Sequence, residues 1–361
     1  MKKLTLDSLD DLLVGSAILG SGGGGDPAYS YMMAKHQVEK FGPVSVIKCS
    51  ELKEEDLVIP VGIMGAPLVE FEKIQTGLEY SPLIQILEKT IGKKATVIMP
   101  IEVAGGNAFL PTIVATLLGL PVLDADMMGR AFPEVQMCSS HLFGAPSSPG
   151  FVADCLGNTV VIHAKNNQVL EKIGRQITIS MGSWSAFALC PLSGPEAQRC
   201  TIHKSISKAI SIGKAHREAK KNREDPLEAV LNICKGVCIG SGKITDIDRA
   251  ISKGFLKGNV TIQNKTEKME ICFQNEFLLA KCNGKVMATT PDIITLLEQE
   301  TGEPVTSDSI RFGLKVNLIV IPSPPVWTTK EGLSLVGPRH FGYETDYQPI
   351  QKCKTHCGVK V

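Results

Sequence analysis

Between residues 44 and 123, short apolar runs alternate with stretches of helical period, and few architectures accept that pattern. Val44–Ile47, Leu57–Ile63, Ala95–Ile101 and Pro121–Leu123 read as strands, with Ser81–Ile91 and Asn107–Leu118 as helices between them. A buried strand such as Ala95–Ile101 must be covered on both faces. The alternation therefore predicts an α/β domain with a mostly parallel sheet in three layers. Two helices precede it. Asp7–Leu19 carries Leu9, Leu12, Leu13 and Ala17 at helical spacing with Asp7 as cap, and a second helix runs from Pro27 to about Lys40 with Asp26 as cap.

Past residue 170 the pattern changes. Ser205–Lys221 and Pro226–Cys234 are helical in period. Then short strand-like runs follow, broken by Gly and Asn: Asn259–Ile262, Met269–Phe273, Phe277–Lys281, Val286–Thr289 and Leu314–Ile321. The reading is an α/β domain over 1–170, a mainly β domain over 171–352 and a tail over 353–361. With 361 residues the chain is long enough for two cores.

A formal charge of +1 removes the usual warrant for nucleic-acid binding, and 2 Trp with 5 Tyr leave little to stack bases on. The mixed-sign run Lys214–Arg223 reads as a solvated helix face. No apolar run is long enough for a membrane span, and Asp7, Asp10 and Asp11 interrupt any secretory pattern. The 11 scattered cysteines form no disulfide framework, which points to a reducing cytoplasm. Cys353-x-x-His356-Cys357 and Cys234-x-x-x-Cys238 lack the paired spacing of a zinc site. Cys138 reads as a small buried residue and His216 as an exposed helix position.

Gly20-x-Gly22-x-x-Gly25 matches a dinucleotide fingerprint on paper, but a helix precedes it where the fingerprint needs a strand. Gly22, Gly23, Gly24 and Gly25 still let the backbone come close to a ligand, and the helix from Pro27 points its N-terminus back at them. The alternative is a plain connector between two helices.

Open α/β sheets bind ligands beyond the carboxyl ends of their strands. Here those ends deliver Glu102 and Asn107 after one strand, and Asp124, Asp126, Arg130 and Glu134 after another. Grouped carboxylates can activate water. Arg130 is placed to hold a substrate carboxylate or to neutralise the cluster, and Asn107 to touch ligand or cap its helix. A structural Asp–Arg network is the plain alternative. A divalent cation on Glu102, Asp124 and Asp126 is another, with His141 or His163 joining a zinc ion only by tertiary approach.

Several strings, in order, resemble one family: Leu19-Gly20-Ser21-Gly22-Gly23-Gly24-Gly25-Asp26-Pro27; Glu102-x-x-Gly105-Gly106-Asn107; the eleven residues Asp124 to Glu134; Phe273-Gln274-Asn275-Glu276; Pro291-Asp292-Ile293-Ile294; and Leu335 to Tyr343. The chain is similar to the S-methyl thiohydantoin desulfurase family along nearly its whole length. That resemblance implies two domains, a small heterocycle as ligand, a hydrolase releasing a thiol, and association with hydantoinase- or oxoprolinase-like proteins. It leaves open a non-catalytic ligand-binding subunit, a metal-dependent cyclic amidohydrolase and a homo-oligomer. It supplies no catalytic set. Chemistry nominates Glu102, Asp124 and Asp126 as acid and base, with Gly22–Gly25, Asn107, Arg130 and Glu134 as ligand contacts.

Overall fold

A computed structural model describes residues 2–65, 69, 76–252 and 254–350 of the chain. The expected tail, with Cys353, His356 and Cys357, lies outside the described residues.

The first helix, α1 (Leu6–Leu19), is capped by Thr5 rather than Asp7. Thr5 and Ser8 exchange side-chain and backbone hydrogen bonds, and Asp7 sits in the first turn. Asp26 does cap α2 (Pro27–Phe41), accepting from the Ala28 N–H at 2.8 Å. The first sheet has a parallel centre. β1 (Lys3–Leu4) lies beside β2 (Val44–Ile47), and β2 pairs in parallel with β5 (Val122–Leu123). β5 pairs in parallel with β4 (Val97–Pro100), and β4 in parallel with β3 (Leu57–Gly65). Beyond β3 the sheet continues antiparallel through β9 (Trp184–Ala188), β7 (Gly150–Ala153) and β8 (Thr159–Ile162). β9 lies past residue 170 in sequence, as does β10 (Leu192–Ser193), which pairs with the start of β3.

Strand residues alternate between two apolar layers, as a period of two requires. Ile59, Val61, Ile98 and Val122 enter one core with α1, α2, α3 (Tyr80–Ile91) and α4 (Leu110–Leu118). Val58, Val97, Met99 and Leu123 enter the opposite core with Leu170 of α6 (Asn167–Ser180). The short helix α5 (Ser139–Leu142) packs Leu142 against that second core, and β6 (Ala125–Asp126) pairs with β11 (Ile202–His203). α7 (Gly194–Cys200) adds Ala197 and Cys200 to that second core.

The second domain is an all-antiparallel eight-stranded sheet in the order β16-β15-β14-β13-β12-β19-β17-β18. Its strands are β12 (Val237–Ser252), β13 (Phe255–Gln263), β14 (Lys268–Gln274), β15 (Glu276–Cys282), β16 (Lys285–Thr289), β17 (Ile293–Glu298), β18 (Pro304–Val305) and β19 (Lys315–Ile321). α8 (Ser205–Asn222) and α9 (Pro226–Cys234) bridge the two units. Their Ile206, Ile212 and Val230 share a core with α1 and with Ile293 and Ile319 of this sheet. α1 and α8 cross in backbone contact: a Cβ on Gly15 would stand 1.8 Å from the Ala209 carbonyl oxygen, and one on Gly213 1.7 Å from that of Asp11. His216 of α8 is buried, not exposed, with Nε2 3.0 Å from the Gly302 carbonyl. The short α10 (Lys330–Val336) closes the chain onto the first domain, where Trp327 donates to the Met128 carbonyl at 2.7 Å. The nine described cysteines are free, and no described helix is long and apolar enough to cross a membrane.

Candidate active site at the strand ends

Beyond the carboxyl ends of β3 and β4 lies a cavity of about 90 Å³. Gly62 to Gly65, Ile101, Glu102 and Asn107 form one wall, and Phe132 to Val135 with Arg175 form another. Gly24, Gly25, Asn275 and Glu276 also line it, so both domains contribute. The position agrees with the rule for open α/β sheets.

Glu102 is held from both sides. Asn107 Nδ2 donates to its Oε1 at 2.7 Å, and the Phe132 N–H donates to its Oε2 at 3.2 Å. The Ile63 N–H donates to Asn107 Oδ1 at 2.8 Å, which fixes the amide so that its NH2 faces Glu102. Asn107 is therefore no helix cap; it lies in a 3-10 turn (Gly105–Ala108) ahead of α4, whose cap residue is Phe109. Burial lifts the Glu102 carboxyl to about 8; the Asn107 and Phe132 hydrogen bonds pull it down and the Asp126 charge adds to the rise. A carboxyl in that range exchanges protons near neutral pH.

Asp124 and Asp126 lie close in sequence but do not line the cavity. Asp124 accepts from the Ser207 N–H at 2.9 Å and from the Ser207 hydroxyl at 2.5 Å. Lys204, the residue before α8, has φ 62° and makes no side-chain cap bond, so Asp124 supplies the acceptor that this helix start lacks. Asp126 is fully buried, and its Oδ2 accepts from the Val103 and Gly129 N–H groups at 2.8 and 2.7 Å. It ties the loop that carries Glu102 to the turn before Arg130.

Arg130 also stands apart from the cavity lining. Its Nη1 donates to the Pro291 and Asp292 carbonyls at 2.7 and 2.8 Å, and its Nε to Ala131. The guanidinium is wholly buried over the Phe132 ring, and that burial lowers it to about 10. It joins the two domains rather than presenting a fork to the cavity. Glu134 does line the cavity, with Gln136 Nε2 and His340 Nε2 on its Oε2, the latter at 3.3 Å. Burial raises its carboxyl, but His340, Gln136 and Arg175 together outweigh burial and lower it.

The glycine run divides into two parts. Ser21, at φ 53°, docks it on the second domain: its hydroxyl donates to the Ile294 carbonyl at 2.8 Å and accepts from the Ile294 N–H at 3.2 Å. Gly22 lies flat on Phe277, and Gly23 on Glu276; neither lines the cavity. Gly24 and Gly25 do, with φ of 79° and 76°, and the Gly24 carbonyl accepts from the Gly106 N–H at 2.9 Å. A Cβ on Gly24 would press 2.9 Å from the Ala104 carbonyl, so the loop is built for contact with the Glu102 segment.

Two lining residues escape a reading by strand ends. Arg175 comes from α6; its Nε pairs with Glu171, its Nη2 donates to the Pro133 carbonyl at 3.1 Å, and it lies 4.1 Å from the Phe255 ring centre. Glu276 opens β15 next to Asn275, whose φ is 59°. Glu276 is 2% exposed, and burial with the neighbouring Glu102 charge raises its carboxyl well above the ordinary range. The signal available was the string Phe273 to Glu276. Among the described residues, no group of three or more His, Cys, Asp or Glu side chains is placed to hold a metal ion, so the alternative of a cation on Glu102, Asp124 and Asp126 finds no ligand set there.

No curated protein matches the chain. A crystal structure of a protein from Chromobacterium violaceum superposes with a TM-score of 0.81 at 24% identity, covering 97% of this chain and 100% of that one. Residues 7–164 match the model of the S-Me-THD-like N-terminal domain, and residues 165–350 that of the S-Me-THD-like C-terminal domain. Between them the two matches run from α1 to the last described residue, and the chain belongs to the S-Me-THD-like family.

Proposed function

We propose that the protein hydrolyses a small S-methyl thiohydantoin-like ring, adding water at the carbon that bears sulfur and releasing a thiol. The observation that carries this reading is Glu102, a buried carboxyl held by two donors in the cavity wall and poised to exchange a proton near neutral pH. Family membership supports the substrate class.

The ring carbon bonded to sulfur is amidine-like. Glu102 as carboxylate takes a proton from water, whose oxygen attacks that carbon, while the ring nitrogen gains a proton from Glu276. Collapse forms the carbonyl and breaks the C–S bond. The new hydroxyl proton passes to the Glu276 carboxylate and the leaving thiolate takes the proton held on Glu102. The products are the hydantoin and methanethiol, and both carboxyl groups return to their starting states. In this reading Asp124 and Asp126 do not touch substrate; Asp126 positions the Glu102 loop and Asp124 starts α8. Incubating the purified chain with an S-methyl thiohydantoin and titrating released thiol tests the proposal. Thiol release at a rate above the buffer reaction, lost in Glu102→Gln, is expected. An inert wild type would remove the hydrolase reading and leave a ligand-binding subunit.

A further inference from the structure

We propose that the cavity selects its heterocycle in the protonated, hydrogen-bond-donating form, an amidine-type N–C–N edge, and that Glu276 from the second domain is the residue that reads it. The inference rests on the reading of this cavity as a heterocycle site, and it adds what form of ring the site prefers and which residue decides.

Among the ionisable groups in the cavity wall, Glu134 already shares its Oε2 with His340 and Gln136, and Arg175 pairs with Glu171. That leaves Glu102 and Glu276, with Arg130 as the buried cation whose charge acts on both. That one guanidinium acts on Asp292 as well, so at least one of Glu102 and Glu276 needs a proton or a cationic ligand.

Glu276 is the one with an unfilled acceptor. Its Oε2 is buried and has no hydrogen-bond partner among the described residues, whereas each Glu102 oxygen already accepts one bond. A buried acceptor without a donor is costly in the empty protein and is repaid when a ligand N–H arrives. Gly23 keeps the carboxylate in place: a Cβ there would stand 2.1 Å from Glu276 Oε1. Two side-chain donors of the cavity wall are committed elsewhere: Asn107 serves Glu102, and Arg175 serves Glu171 and Pro133. A protonated amidine edge brings two N–H groups and the missing positive charge.

The test uses the intact chain and two rings of nearly equal shape. 2-Methylthio-2-imidazoline is a cation at neutral pH, and 2-imidazolidinone is its neutral carbonyl counterpart. Isothermal titration at pH 7 should find the cation bound at least about tenfold more tightly. Glu276→Gln, which keeps shape and removes charge, should weaken the cation by about tenfold or more and shrink its advantage over the neutral ring. A wild type that prefers the neutral ring, or a folded Glu276→Gln protein with undiminished cation binding, overturns the proposal. The wild-type comparison stands even if the variant fails to fold. Selective cation binding without thiol release would sink the hydrolase reading alone. Thiol release with no preference for the cation would sink this inference alone.

Discussion

Replacing Glu102 with Gln separates what the carboxyl does for chemistry from what it costs the fold. The free carboxyl titrates near 4.5 and the buried one near 8. The folded state therefore binds the proton more tightly than the unfolded chain. Its stabilising contribution is fully present below about pH 4.5, erodes as pH rises and is lost once pH passes about 8. At about 1.4 kcal/mol per pH unit, the loss reaches about 5 kcal/mol. Glutamine carries no such penalty. It does face two donors, Asn107 Nδ2 and the Phe132 N–H, with only one acceptor oxygen, which costs about 1 kcal/mol. The variant should thus be slightly less stable than wild type at pH 4 and more stable by about 4 kcal/mol at pH 8.5. For 361 residues that is a rise in Tm of about 5 °C. Thiol release should fall by about 10²–10⁴-fold. Thermal melts of both proteins from pH 4 to 8.5 are the assay. A stability difference that does not change with pH, or a variant less stable than wild type at pH 8.5, would refute the burial argument for Glu102.

Other substitutions probe the residues around it. Asp124→Ala removes the acceptor for Ser207 at the start of α8 and should cost about 1–2 kcal/mol in chemical denaturation, with thiol release per folded molecule unchanged. Asp126→Ala leaves the Val103 and Gly129 N–H groups without their acceptor; a loss of about 2–4 kcal/mol by urea melt is expected, with turnover falling because the Glu102 loop loosens. Gly23→Val drives a side chain into Glu276 and should reduce ligand affinity by at least about tenfold in titration.

The layers of the first domain were legible because buried strands and amphipathic helices have different periods, and β2 to β5 with α1 to α4 fall where those periods change. β9 was not legible as part of that sheet: its pairing with β3 joins residues more than a hundred positions apart, and nothing local signals it. β12 escaped because its far half is exposed and polar, supported by pairing rather than by an apolar face. Glu102, Asn107, Gly24, Gly25 and Glu134 were readable as cavity residues from strand ends and the glycine run. Asp124, Asp126 and Arg130 looked alike on that criterion but answer to other needs: a helix start, two loop N–H groups and the carbonyls of the second domain. Arg175 and Glu276 come from a helix and from the other domain, so only the folded chain brings them to the same cavity.

The central claim is that water adds to the ring carbon and the bond from that carbon to sulfur breaks. Mass spectrometry of the product formed in ¹⁸O-enriched water tests it most directly. The account predicts a hydantoin carrying one ¹⁸O at the former sulfur-bearing carbon, together with unlabelled methanethiol. Labelled methanol with a thiohydantoin that retains its sulfur would show cleavage at the methyl group instead and would contradict the account.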